Sequence, residues 1–261
     1  LTRLYSPAEF GVYAIFVGLV TLLALAVTGR FELAALIGRS RVEAYSLSVL
    51  AATLALISSL AVLTIILLWG HYLASFFNRE EIAHLLYIIP ICTFAIALNQ
   101  IFSCYANSQK RYYLMARAKV VQSIGTAAVS IIAASKIGSG LIVGHFAGAL
   151  MAIASFLLAG TSRRSLYHYV SLRRLTYYVR KHDVFPKVSL PHGLLTKFSS
   201  ELPVFMLGVY FAGASVGYYA LIHRALVSPL SVVSTSFSQV FVRELSERKE
   251  AECPDSAYQL Y

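Results

Sequence analysis

Residues 44–70 contain no Lys, Arg, Asp, Glu or His. At about 1.5 Å of rise per residue such a run is long enough, as a helix, to cross a hydrocarbon layer roughly 30 Å thick. Lipid offers no hydrogen-bond partner, so a run of this kind must satisfy its backbone internally as a helix. Comparable runs recur at about 10–29, 82–106, 120–135, 141–160, 190–211 and 216–241. The chain therefore reads as an all-α, polytopic membrane protein with seven transmembrane helices. Its composition agrees: 58% of the residues are hydrophobic and 13% charged, where soluble domains have roughly half and a quarter.

The net charge of +10 does not point to nucleic acid, because the basic residues lie between the apolar runs. Loops after the first, third, fifth and seventh runs hold three, four, seven and three Lys or Arg. That is seventeen against three, Arg3, Arg79 and Lys136, in the intervening loops. Positive loops stay in the cytoplasm, so the first residue is extracytoplasmic and an earlier span is expected upstream. No signal peptide precedes the first run. Cys92, Cys104 and Cys253 have no metal or redox spacing, and packing is the expected role of the two in the third run.

The fourth run is short, which predicts a helix that starts near Leu114, with Arg117 and Lys119 reaching back to the headgroups. In the fifth, Gly144, Gly148, Ala152 and Ser155 recur about four apart, a spacing that suits close contact with another helix. Residues 161–189, with Arg163, Arg164, Arg173, Arg174, Arg180, Lys181 and Lys187, read as a basic amphipathic linker on an anionic membrane surface.

A weak repeat runs through the chain. At an offset of 206, Phe10-Gly11-Val12-Tyr13-Ala14 aligns with Val216-Gly217-Tyr218-Tyr219-Ala220, and both copies enter a span from outside. A parallel repeat of this kind implies an axis along the membrane normal. The expected whole is two lobes of six helices each. Residues 1–160 form most of the first lobe without its first helix, 161–189 the cytoplasmic linker, and 190–261 the start of the second lobe, helices seven and eight.

Two blocks resemble a known family. Arg3-Leu4-Tyr5-Ser6-Pro7-Ala8-Glu9-Phe10-Gly11-Val12-Tyr13-Ala14, with Arg30-Phe31-Glu32-Leu33-Ala34 after the span, is one. Pro186-Lys187, Ser189-Leu190-Pro191, Ser199-Ser200, Leu202-Pro203 and Gly217-Tyr218-Tyr219-Ala220-Leu221, with Arg224 and Pro229-Leu230-Ser231, is the other. Both are similar to the Wzx-like oligosaccharide flippases, polysaccharide biosynthesis proteins of the multidrug/oligosaccharidyl-lipid/polysaccharide exporter superfamily. The resemblance implies a V-shaped pair of lobes working by alternating access in the bacterial cytoplasmic (inner) membrane. The cargo it implies is an undecaprenyl-diphosphate-linked oligosaccharide for surface polysaccharide or O-antigen synthesis. Membrane lipids and other polysaccharide-assembly proteins are the expected partners, and nucleic acid is not.

A diphosphate cargo requires cations along a hydrated path, and ionisable side chains within spans mark such paths. Lys197 lies roughly 10 Å in from the cytoplasmic start of its helix, and Arg224 about as deep from the other surface. Two cations at opposite depths suit a phosphate that must pass across. Glu201, one turn beyond Lys197, reads either as its neutralising partner or as a carboxylate that titrates or binds a coupling ion. The remaining candidates are His223 beside Arg224, His145 in the fifth span, and Asn99 and Gln100 in the third. The two histidines are proton relays or packed residues; the two amides line a sugar path or join helices. Pro191, Pro203 and Pro229 are expected to bend their helices.

The chain has no P-loop, dinucleotide fingerprint, zinc-protease motif or nucleophile elbow. No catalytic residue, metal or cofactor is expected, and uphill transport would draw on H+ or Na+ coupling. Three other classes remain. A drug or cation antiporter of the same superfamily would favour acids over Lys and Arg in the spans. A membrane polymerase or ligase needs a sizeable outer loop, and every outer loop here is short. A non-transporting interaction or regulatory fragment is the third.

Overall fold

A computed structural model describes residues 4–38, 40–77, 80–134, 139–159, 172–211, 213–227 and 230. Among them there is no strand, and the protein is an all-α polytopic membrane protein. The loop arginine Arg79, Lys136, residues 161–171 of the linker, Pro229, Cys253 and the inner end of the seventh run lie outside the described residues. By contact density the chain divides into two units, 1–217 and 218–261.

In the first unit, α1 (Pro7–Val27) begins where the sequence supplies both halves of a cap. Ser6 Oγ accepts from the Glu9 amide at 3.4 Å while the Ser6 amide donates to Glu9 Oε2 at 2.7 Å, and Pro7 adds a preset φ in the first turn. The helix ends in two left-handed residues, Gly29 at φ 59° and Arg30 at φ 63°. Such a backbone is free for glycine and costs about 1 kcal/mol for arginine. This corner throws the chain into the short α2 (Phe31–Leu36).

α2 buries Phe31, Ala34 and Ala35 against Leu47 and Leu50 of α3 (Arg41–Phe77) and Ile101 of α4 (Glu80–Ser108). α3 spans about 55 Å at 1.5 Å per residue, more than a bilayer needs, and the candidate span within it is Arg41–Leu68. α5 (Tyr112–Ala133) and α6 (Gly140–Leu158) then form a tight antiparallel pair. A Cβ at Gly144 would lie 2.9 Å from Thr126 O, and one at Gly148 would lie 2.7 Å from Gln122 O. The small-residue stripe of the fifth run is therefore the α5–α6 contact, as its spacing predicts. Gly148→Val is expected to lower the melting temperature in detergent more than Leu150→Val on the exposed face, since backbone oxygens cannot move aside.

Four described helices are long and apolar enough to cross a membrane: Pro7–Val27, Arg41–Leu68, Tyr87–Ser108 and Gly140–Leu158. α5, with Arg117 and Lys119, and α8 (Leu190–Tyr210), with Lys197 and Glu201, are more polar. Arg117 Nη2 donates at 2.6 Å to the Ser155 carbonyl near the C-terminal end of α6, which also accepts from the Ala159 amide at 3.2 Å.

The described part of the linker also turns inward. α7 (Leu172–Lys181) sets Leu175 and Tyr178 on the α2–α3 cluster. Lys181 Nζ and His182 Nε2 meet Glu43 Oε1 at 2.6 and 3.1 Å. Arg174, Tyr177 and Arg180 stay exposed, so only the outer face of this amphipathic helix is left for lipid. A π-helical turn, Phe185–Ser189, carries the chain into α8. Pro191 falls in the first turn of α8, directly after the π-helical turn, and Pro203 lies inside the helix. Residues 213–227 are helical again.

Candidate functional site

The long face where α8 meets α1 holds the candidate site, and small residues make it. Ile15 Cδ1 would lie 2.8 Å from a Cβ at Gly208, and Gly18 meets Glu201 and Phe205, its own added Cβ falling 3.0 Å from Glu201 Oε2. At the C-terminal end of α1 the Arg30 guanidinium lies on the backbone of Gly193, where a Cβ would be 2.7 Å from Nε and 2.8 Å from Cζ. At the opposite end residues 213–217 cross the start of α1, with Gly11 against Gly213 and Gly217.

In the middle of this face Lys197 Nζ donates to Glu201 Oε1 at 2.6 Å. The side chains are 35% and 19% exposed, so both charges remain within reach of water. The carboxylate spends one oxygen on Lys197 and turns the other towards Gly18. A cation held this way is oriented, half-solvated and opposed by a single negative charge, which a more highly charged anion can displace.

The other candidates separate. Asn99 Nδ2 donates to Gln122 Oε1 on α5 at 3.3 Å, the interhelical use of that amide. Gln100 Nε2 points the other way, to Glu32 Oε1 at 3.5 Å. His145 Nδ1 meets the Tyr13 hydroxyl at 3.2 Å, and the rings lie edge to face. In the second unit His223 stacks on Tyr219 with ring centroids 5.7 Å apart, and Arg224 is exposed.

Sequence reasoning missed Glu32 as a site residue. Its side chain is fully buried, and Oε2 has no hydrogen-bond partner. Burial pushes its carboxyl above the usual carboxylate range, against the opposing effects of the Thr28 hydroxyl and the Arg30 charge. The signal was an acid within the apolar hexamer FELAAL, which reads as loop until α2 is seen to pack inward. Glu43 was missed likewise, its partners Lys181 and His182 arriving from far along the chain.

Residues 1–255 match the family described as polysaccharide biosynthesis protein. The chain belongs to that family. No curated protein and no solved structure matches it. Membership gives this membrane protein a role in polysaccharide synthesis or export, and it agrees with the resemblance carried by the Arg3–Ala14 and Pro186–Ser231 blocks. Among the described residues no group of His, Cys, Asp and Glu is placed to hold a metal ion.

Proposed function

We propose that the protein flips undecaprenyl-diphosphate-linked oligosaccharide repeat units from the inner to the outer leaflet of a bacterial cytoplasmic membrane, by ion-coupled alternating access. The glycan feeds surface polysaccharide or O-antigen synthesis. The observation that carries this reading is the Lys197–Glu201 pair, half-solvated on the α1–α8 face. An ionisable side chain within a span costs a few kcal/mol even when partnered, and a neutral residue would fill the position at less cost. Diphosphate, with more than one negative charge, competes with the single Glu201 carboxylate for the lysine. Asn99, Gln100, His145, His223 and Arg224 are the further candidates for the path, and lipids and other polysaccharide-assembly proteins the companions.

The test places the full-length protein in proteoliposomes whose inner leaflet holds fluorescent undecaprenyl-diphosphate oligosaccharide, and follows its quenching from outside. Transfer faster than in protein-free vesicles, dependent on the diphosphate and on a proton or sodium gradient, is expected. Equal rates with and without folded protein would sink the proposal, as would exchange of a lipophilic cation in place of the glycolipid.

A further inference from the structure

Four facts meet at the cytoplasmic end of α1. Glu32 is fully buried, with Oε1 facing the Gln100 amide at 3.5 Å and Oε2 without a hydrogen-bond partner; the Thr28 hydroxyl and the local backbone favour the charged form, but burial outweighs them. Arg30, two residues earlier, has a buried Nε that is also unpartnered. Among the described residues no ion pair joins the two, although the Arg30 charge acts on the Glu32 carboxyl. Finally, the Arg30 guanidinium is seated on Gly193 of α8, the element that carries Lys197.

A carboxylate in such a place is expensive. Without an ion pair or several donors it takes up a proton instead of staying charged. The group that would hold it ionised is two residues away but is engaged on another helix. The groups facing Glu32 from its neighbours do not substitute. α4 presents Gln100 and the thiol of Cys104, which the Glu32 and Arg30 charges both affect. α3 presents the apolar Leu47 and Leu50 to α2, while its Glu43 is committed to Lys181 and His182. Lys187, on the turn before α8, is exposed and paired with Asp183 at 2.6 Å.

We propose that Glu32 is the proton-carrying carboxyl of this protein and that the Arg30–Gly193 contact controls it. With α8 seated on Arg30, Glu32 holds its proton. When the cytoplasmic ends of α1 and α8 part, the guanidinium is released to Glu32, the proton leaves the carboxyl for cytoplasmic water, and an Arg30–Glu32 ion pair takes its place. The left-handed backbone at Arg30, between α1 and α2, lies at the corner where such a swing would begin. Opening on one side and loss of one proton become the same event. The purpose of this switch rests on the transport reading, but its test does not, because no glycolipid is needed.

The experiment is an infrared titration of the full-length protein in detergent, following the carbonyl stretch of protonated carboxylic acids. A band present at neutral pH in wild type and missing from Glu32→Gln is expected. Gly193→Ala, whose Cβ displaces the guanidinium from α8, should move the midpoint of that band down by about one pH unit, a tenfold loss of proton affinity. Arg30→Gln should move it up and make it indifferent to the residue at 193, which serves if Gly193→Ala fails to fold. Thermal unfolding gives an independent check. A carboxyl whose native pKa is raised contributes stability that is full at low pH and lost as pH rises through that pKa, so Glu32→Gln should flatten this part of the stability profile. A neutral-pH spectrum with no Glu32-dependent band, or a midpoint that neither Gly193→Ala nor Arg30→Gln moves, overturns the proposal, whatever the fate of the glycolipid assay.

Discussion

Gly217→Ala is expected to cost the protein more than 3 kcal/mol and most of its folded yield, while Gly213→Ala, one helical turn earlier, leaves stability unchanged or raises it by up to about 1 kcal/mol. A Cβ at Gly217 would overlap the carbonyl oxygen of Pro7 and lie 2.6 Å from its carbonyl carbon and 3.1 Å from the Gly11 amide. None of these atoms can retreat. Pro7 has a ring-fixed φ and sits in the first turn of α1, and the Ser6–Glu9 capping box pins that turn. Overpacking a rigid contact of this kind costs roughly 1–3 kcal/mol, and more where only backbone is available to move. At Gly213 the nearest atom is Ala8 O at 3.8 Å, an ordinary contact, so the substitution mainly removes the entropy penalty of a helical glycine, about 1 kcal/mol. Melting temperatures of the two variants in detergent decide the matter. Equal losses would mean that 213–217 does not cross α1 as described.

The crossing also explains what the sequence revealed and what it hid. Gly11 and Gly217 are the glycines that align in the weak 206-residue repeat, and they pack against each other. Where α1 and residues 213–217 cross, a Cβ at either of these two positions would meet backbone, so glycine is what fits at both. The α5–α6 stripe was legible for the same reason: Gly144 and Gly148 lie on one helix face, and only the partner's name was missing. Apolar runs are one-dimensional properties, and among the described residues four of the seven expected spans are helices long and apolar enough to cross a membrane. Glu32, Glu43 and α7 could not be read this way, because each gains its meaning from residues distant in the chain: Gln100 and Gly193 around the Arg30–Glu32 corner, and Lys181 and His182 around Glu43. Local pattern placed Glu32 in a loop, and the inward packing of Phe31, Ala34 and Ala35 put it in the interior.

For Lys197 and Glu201 the structure sharpens a choice between two roles without ending it, and a double substitution separates them. Lys197→Met alone leaves a carboxylate in the span and Glu201→Gln alone leaves an unbalanced ammonium, and a lone charge there costs about 2.5–3.5 kcal/mol at mid-helix, less near the ends. Both single variants should accumulate to lower levels than wild type. Lys197→Met with Glu201→Gln removes both charges together, so a pair that merely neutralises itself should return to the wild-type level and to wild-type transport. If Lys197 meets the diphosphate, the double variant regains its level in the membrane while glycolipid transfer stays at least tenfold down, the loss expected from removing one charge-assisted contact of about 1.5–3 kcal/mol. Glu201→Gln alone should then retain more transfer per folded molecule than Lys197→Met, because it frees the lysine that the cargo needs. Recovery of both level and transfer in the double variant would assign the pair to folding alone and move the search for the phosphate contact to Arg224.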